Sequence, residues 1–321
     1  MRTGRRLRGQ EDSQQNECFC QIDFPAFRLW SFAEKDTSVF FDSNPRKGNK
    51  TLNIETVKTD TFTMDYLRFG RGKDPLVILP GLSVQSVMGL GDLIAEAYQV
   101  LTEDFTIYLF DRRKDLPAVY PIREMARDTA EALRALGLSN VALFGASQGG
   151  MIAMALAAEH PELVSRLVPG SSAARVDGEH CRLFEDWIGL AKAGKARELN
   201  LAFGEALYPK AVFEGARDLL LAQADSYTAE DLQRFVILAE SLRDFDLRAD
   251  LAKIACPVLV LGAKDDRVLG AEASEEIFRL LPERSDSGLY LYEPGFGHAA
   301  FDTAPDYKKR LLRFLRDGRI D

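Results

Sequence analysis

Chemistry first suggests itself in the run Gly145-Ala146-Ser147-Gln148-Gly149. A serine hydroxyl is a weak nucleophile until a base removes its proton, and it must stand clear of the backbone to react. Val141-Ala142-Leu143-Phe144 reads as a buried strand, and Gly149-Gly150-Met151-Ile152-Ala153 opens a helix. A serine at that junction projects from the carboxyl end of the strand. Glycines suit positions 145 and 149, where a side chain would crowd the turn. The helix that follows turns its positive end toward developing negative charge.

A base is needed, and the chain has three histidines. His160 precedes Pro161 at a helix end, where a cation is favourable for structural reasons. His180 has no strand end nearby. His298 follows the last apolar run, in Pro294-Gly295-Phe296-Gly297-His298, with two glycines that free the backbone to present the ring. Imidazole titrates in the useful range, so His298 is the expected base. The group that orients it should be a carboxylate. The loop after the apolar run at 257–261 offers two, Asp265 and Asp266, which spacing alone does not separate.

These residues need a scaffold that presents them together. Apolar runs at 75–79, 105–110, 140–144, 257–261 and 288–292 each stop at glycine, proline or charge. Short, continuously apolar strands imply a sheet buried on both faces, hence largely parallel. Residues 61–69 alternate like a more exposed strand, and Gly70-Arg71-Gly72 reads as a hairpin turn. Ile122, Met125, Thr129, Leu133 and Leu136 mark one helix, stopped by Gly137. Residues 151–159 form a small-residue helix. Residues 307–315 form the last, with Thr303 as expected N-cap and Gly318 just past the end. Strands alternating with helices predict a doubly wound α/β domain with a mostly parallel sheet.

One interval breaks the alternation. Residues 176–250 are helical throughout, and strands resume after them, so they are expected to form an inserted cap. Its aromatics Phe184, Trp187, Phe203, Tyr208 and Phe213 are expected either to wall an apolar pocket or to pack the cap's own core. Residues 1–50 lack periodicity and read as a poorly ordered extension. Residues 51–321 then make up the catalytic domain.

The stretch 140–161, NVALFGASQGGMIAMALAAEHP, resembles the nucleophile elbow and following helix of the α/β-hydrolase family. The resemblance covers roughly residues 60–318. It implies a triad in the order serine, acid, histidine, and hydrolysis of an ester, thioester or related acyl bond. Gly262-Ala263-Lys264-Asp265 resembles the family's G-x-x-D, which implies Asp265 as the acid and leaves Asp266 as the alternative. The oxyanion donors it implies are the backbone amides of Gln148, just after the nucleophile, and of Leu82. Leu82 lies in Pro80-Gly81-Leu82-Ser83, where the family usually has His-Gly; Pro80 leaves the support of that loop open. Capped members also serve as ligand-binding or signalling proteins, and the same triad performs perhydrolysis, C–C cleavage or acyl transfer.

Composition narrows the partners. A formal charge of −8 gives no support to nucleic-acid binding. No run approaches the roughly 18 apolar residues of a membrane span. Three histidines and four scattered cysteines give no zinc spacing and no disulfide framework. The cysteines read as reduced, and no secretory pattern follows Arg2, Arg5, Arg6 and Arg8, which together predict a cytoplasmic protein. No P-loop or dinucleotide fingerprint occurs. The expectation is therefore an enzyme without metal or organic cofactor, acting on a small molecule. The charged run Asp111-Arg112-Arg113-Lys114-Asp115 is expected to be a solvated loop at the rim of the site.

Overall fold

A computed structural model describes residues 51–320. The extension at 1–50, with Cys18 and Cys20, lies outside the described residues. Among the described residues eight strands form one sheet: β1 (Ile54–Lys58), β2 (Thr63–Gly70), β3 (Asp74–Leu79), β4 (Phe105–Arg113), β5 (Val141–Ala146), β6 (Val164–Gly170), β7 (Leu259–Ala263) and β8 (Gly288–Tyr292). Their order is β1-β2-β4-β3-β5-β6-β7-β8. β1 and β2 form an antiparallel hairpin, and β2 joins β4 antiparallel. From β4 onward every pairing is parallel.

The apolar runs are continuous because the sheet is covered on both sides. Side chains alternate between faces along a strand. Val77 and Leu79 of β3, with Val141 and Leu143 of β5, join one core cluster. Leu76 and Ile78, with Ala142 and Phe144, join the cluster on the other face. One layer holds α1 (Gly91–Ala97) and α10 (Tyr307–Asp317); the other holds α2 (Ile122–Ala135) and α3 (Gln148–Glu159). In α3 every residue but Glu159 is buried. A helix hydrophobic all round belongs in the interior, and the small residues of this one suit close packing between the sheet and α2.

Parallel pairing is thinnest between β6 and β7. The two strands share the single register pair Gly170↔Leu261, with an isolated bridge at Leu167↔Val258. Between them in sequence come four helices: α4 (Gly178–Lys192), α5 (Ala196–Leu207), α6 (Lys210–Ala224) and α7 (Ala229–Glu240). Trp187 meets Phe184 and Phe203 edge-on at ring-centroid distances of 5.2 and 4.8 Å, and Phe203 meets Phe235 at 5.9 Å. Phe184, Trp187 and Phe235 are buried. These aromatics therefore pack the core of the inserted helices. After β7 come α8 (Ala271–Leu280), β8, the short α9 (Ala300–Thr303) and α10.

Three local expectations are corrected. Gly70-Arg71-Gly72 is no hairpin turn, because β4 lies between β2 and β3. The link instead passes tightly across the start of β4: a Cβ on Gly72 would meet the Asp104 carbonyl carbon at 1.9 Å, and one on Gly70 the Phe105 oxygen at 2.3 Å. Asp111, Arg112 and Arg113 continue β4, and the first two are buried. Thr303 does not cap α10: it ends α9, and its hydroxyl bonds the Phe296 carbonyl at 2.7 Å. Gly318, with φ 71°, does terminate α10 in the left-handed conformation. Among the described residues no helix is long and apolar enough to cross a membrane.

Candidate active site

Ser147 stands between β5 and α3 with φ 52° and ψ −121°, a conformation that side chains other than glycine rarely adopt. The surroundings enforce it. The Ser147 amide donates to the Gly170 carbonyl of β6 at 2.8 Å. Its own carbonyl accepts from Gly150 and Met151, the first donors of the helix, and from the Ser172 hydroxyl at 2.9 Å. The Ser147 side chain makes no cap hydrogen bond to the helix, which leaves the hydroxyl outside the structural bonding of the turn. The amide of Gln148 precedes the helical ladder, as the first N–H groups of a helix do.

The flanking glycines answer to close contacts. A Cβ on Gly145 would sit 2.2 Å from the Gly149 oxygen, and one on Gly149 only 2.1 Å from the Leu79 oxygen. Both obstacles are backbone. Gly149→Ala is accordingly expected to destabilise the fold by about 3 kcal/mol, the upper range for a forced overpacking, read as a lower midpoint in urea unfolding at unchanged m.

The β3 loop reaches the same point. A Cβ on Gly81 would lie 3.2 Å from Ser147 Cβ, so the loop passes directly beside the serine. Leu82 follows and is buried.

His298 is buried, and its Nδ1 lies 2.8 and 3.0 Å from the two carboxylate oxygens of Asp266. The carboxylate on the histidine is thus Asp266 rather than Asp265. The chain turns back after β7, with the Asp266 amide on the Ala263 carbonyl, and this carries Asp266 inward. Its Oδ1 also accepts from the Val268 and Leu269 amides at 2.8 and 3.0 Å. Burial pushes the Asp266 carboxyl upward, but the His298 charge and these hydrogen bonds outweigh it and hold the carboxyl below its ordinary value. Asp265 does a different job: its oxygens accept from the Gly295 and Gly297 amides at 2.7 and 3.1 Å, bracing the loop that carries His298. The Ala299 amide donates to the Leu207 carbonyl at 3.1 Å, which ties that loop to the end of α5.

Ser147, Asp266 and His298 therefore follow the carboxyl ends of β5, β7 and β8, on one edge of the sheet. His160 ends α3 with Nδ1 3.1 Å from Arg134, and His180 lies in the first turn of α4. His160 lies at the far end of α3 from Ser147, and His180, whose Nε2 would lie 3.7 Å from a Cβ on Gly270 after β7, is not the ring that Asp266 holds.

A buried polar network beside the serine escapes sequence reasoning. Arg112 Nη2 donates to the Pro80 carbonyl at 2.8 Å and to Gln148 Oε1 at 2.9 Å. Gln148 Nε2 donates to the Leu238 carbonyl of α7 at 2.7 Å and contacts Ser241 Oγ at 3.2 Å. Arg234, also on α7, pairs with Asp111 at 2.7 Å and donates to the Ser83 and Val84 carbonyls at 3.0 and 3.4 Å. Burial pushes the Arg112 guanidinium down to about 10, against the pull of Asp111, which leaves it charged at neutral pH. For Asp111 and Arg112 the signal in the sequence is their place at the end of the β4 run, directly before the loop region.

Comparison with known proteins agrees with this architecture. Residues 74–188 match the family model described as the alpha/beta hydrolase fold. The chain is 30% identical over 227 residues to the protein named "Putative carbamate hydrolase RutD" of Agrobacterium fabrum (strain C58), covering 68% of this chain and 85% of that protein. The enol-lactonase of Burkholderia xenovorans LB400 is similar in fold, with a TM-score of 0.70 at 17% identity, over 82% of this chain and 100% of that one. An esterase of Exiguobacterium antarcticum gives a TM-score of 0.66 at 23% identity, over 84% and 100%. With an eight-stranded, mostly parallel sheet, a strained serine at its central turn and this degree of likeness, the chain belongs to the α/β-hydrolase fold family and is a hydrolase.

Proposed function

We propose that the chain is a serine hydrolase that cleaves an ester, carbamate or related acyl bond of a small, largely apolar substrate. The buried Asp266–His298 pair, on the same sheet edge as the strained Ser147, carries this reading. Neighbouring strands lie roughly 4.8 Å apart, and β5 and β7 are separated by β6 alone, a gap that a histidine on a loop can span. The carbamate alternative rests on the likeness to the RutD proteins.

In this reading Ser147 Oγ attacks the acyl carbon while His298 Nε2 takes its proton. Asp266, on Nδ1, fixes the tautomer and steadies the imidazolium. The Gln148 and Leu82 amides hold the oxyanion. His298 then protonates the leaving alcohol or amine, and water, activated by the same ring, releases the acyl group from Ser147. The four inserted helices form a cap over the site.

Steady-state hydrolysis of p-nitrophenyl acetate and a p-nitrophenyl carbamate, combined with fluorophosphonate labelling mapped by peptide mass, tests the proposal. One label on the peptide bearing Ser147, with turnover lost in proportion, is the expected result. Label elsewhere, or one burst of p-nitrophenol without continuing turnover of either substrate, overturns it; the burst alone points to a ligand-binding protein.

A further inference from the structure

The loop after β3 lacks the histidine that usually supports it in this family, yet its path beside Ser147 is well fixed. The fixing groups come from elsewhere. Arg112, at the end of β4, places one Nη2 between the Pro80 carbonyl and Gln148 Oε1. Pro80 begins the loop that carries Leu82, and Gln148 carries the other donor. A single guanidinium therefore touches both halves of the proposed oxyanion hole, each on a group adjoining the donor peptide. Arg234 holds the far side of the loop through the Ser83 and Val84 carbonyls. The Leu82 amide lies between carbonyls pinned on both sides.

The same contacts reach the inserted helices. Arg234 is itself part of α7. Gln148, with Oε1 turned to Arg112, must turn Nε2 toward α7, where it meets the Leu238 carbonyl. Gln85 adds a contact to Asp231 at 3.1 Å, in the first turn of α7. Asp111 completes the frame by accepting from Arg234 and from the Arg112 amide. Arg112 is buried, with Nε lacking a hydrogen-bond partner. A charge kept there at the cost of desolvation calls for a use beyond surface solvation.

We propose that Arg112 and Arg234 are positioning residues for the oxyanion hole, and that they make its assembly depend on docking of α7. This inference rests on the serine-hydrolase reading above. A hole held by preformed donors lowers the barrier, because nothing has to reorganise as charge develops. Loosening the donors should therefore cost rate and leave ground-state binding nearly untouched.

The test uses the full chain with Arg112→Met, Arg112→Lys, Arg234→Met and Arg234→Lys. Each is assayed for kcat and KM on a p-nitrophenyl ester, and for inhibition by an aryl trifluoromethyl ketone, which forms an oxyanion on Ser147. Both Met variants are expected to lose about 10²-fold in kcat, near the effect of losing one oxyanion donor, with KM within about twofold. Affinity for the ketone should fall by the same factor as kcat. The Lys variants should recover part of the loss, since an ammonium reaches one carbonyl but not the paired acceptors. If a Met variant does not fold, as judged by thermal unfolding, its Lys counterpart carries the test through the parallel fall in kcat and ketone affinity. Folded variants with wild-type kcat, or with a rise in KM alone, overturn the inference. Should wild-type turnover survive Ser147→Ala, it is the hydrolase reading that fails; should turnover depend on Ser147 yet ignore both arginines, only this inference fails.

Discussion

Substitution Ser147→Ala is expected to lower kcat by about 10⁶-fold, the scale on which loss of a serine nucleophile disables a triad. Stability should hardly move. The Ser147 hydroxyl makes no cap bond to α3, and alanine meets the same backbone constraint at φ 52° that serine does. Surface-like substitutions without a lost partner stay within about 0.5 kcal/mol. Urea unfolding and steady-state kinetics on one preparation separate the two effects. Activity within tenfold of wild type would end the assignment of Ser147 as nucleophile.

The second large effect distinguishes two neighbours. Asp266→Asn should reduce kcat about 10⁴-fold, because an amide beside His298 Nδ1 favours the wrong tautomer and cannot balance the imidazolium. Asp265→Asn should reduce it only severalfold. An asparagine keeps one oxygen for the Gly295 or Gly297 amide and gives up the other, a change of about 1 kcal/mol in hydrogen bonding. Comparison of kcat/KM for the two variants, with their unfolding midpoints, decides the matter. A collapse in Asp265→Asn alone would reverse the roles given to these carboxylates.

That pair also marks where the sequence stops being informative. The strands were legible because an apolar run buried on both faces leaves no ambiguity of period, as at 75–79 and 140–144. The elbow was legible because Gly145 and Gly149 flank a serine at a strand-to-helix junction, and His298 because few histidines competed. Asp265 and Asp266 differ by one residue, and which of them faces inward is set by the turn after Ala263, which local composition does not reveal. The buried Asp111 and Arg112 were hidden for a related reason. A charge run ordinarily lies in solvent, and only the arrival of Arg234 and Gln148 from distant parts of the chain makes burial tolerable. β1 escaped notice as well: four of its five residues are at least partly exposed, so it shows little apolar pattern.

The narrow join between β6 and β7 divides the proposed catalytic groups between two portions of the chain. Everything through β6 carries Ser147, the proposed nucleophile, and the β3 loop beside it; everything from β7 onward carries Asp266 and His298. There the sheet has one register pair and one bridge, with backbone bonds from Leu167 to Pro257 and from Ser171 to Leu261. A local opening of this seam would part serine from histidine, the kind of sub-global opening that native proteins show below their full unfolding energy. Catalysis should then fail at a lower urea concentration than far-ultraviolet circular dichroism does. Amide exchange in β7 and β8 should also be faster than in β3 and β5. Alignment across this one seam is then a condition of the active state.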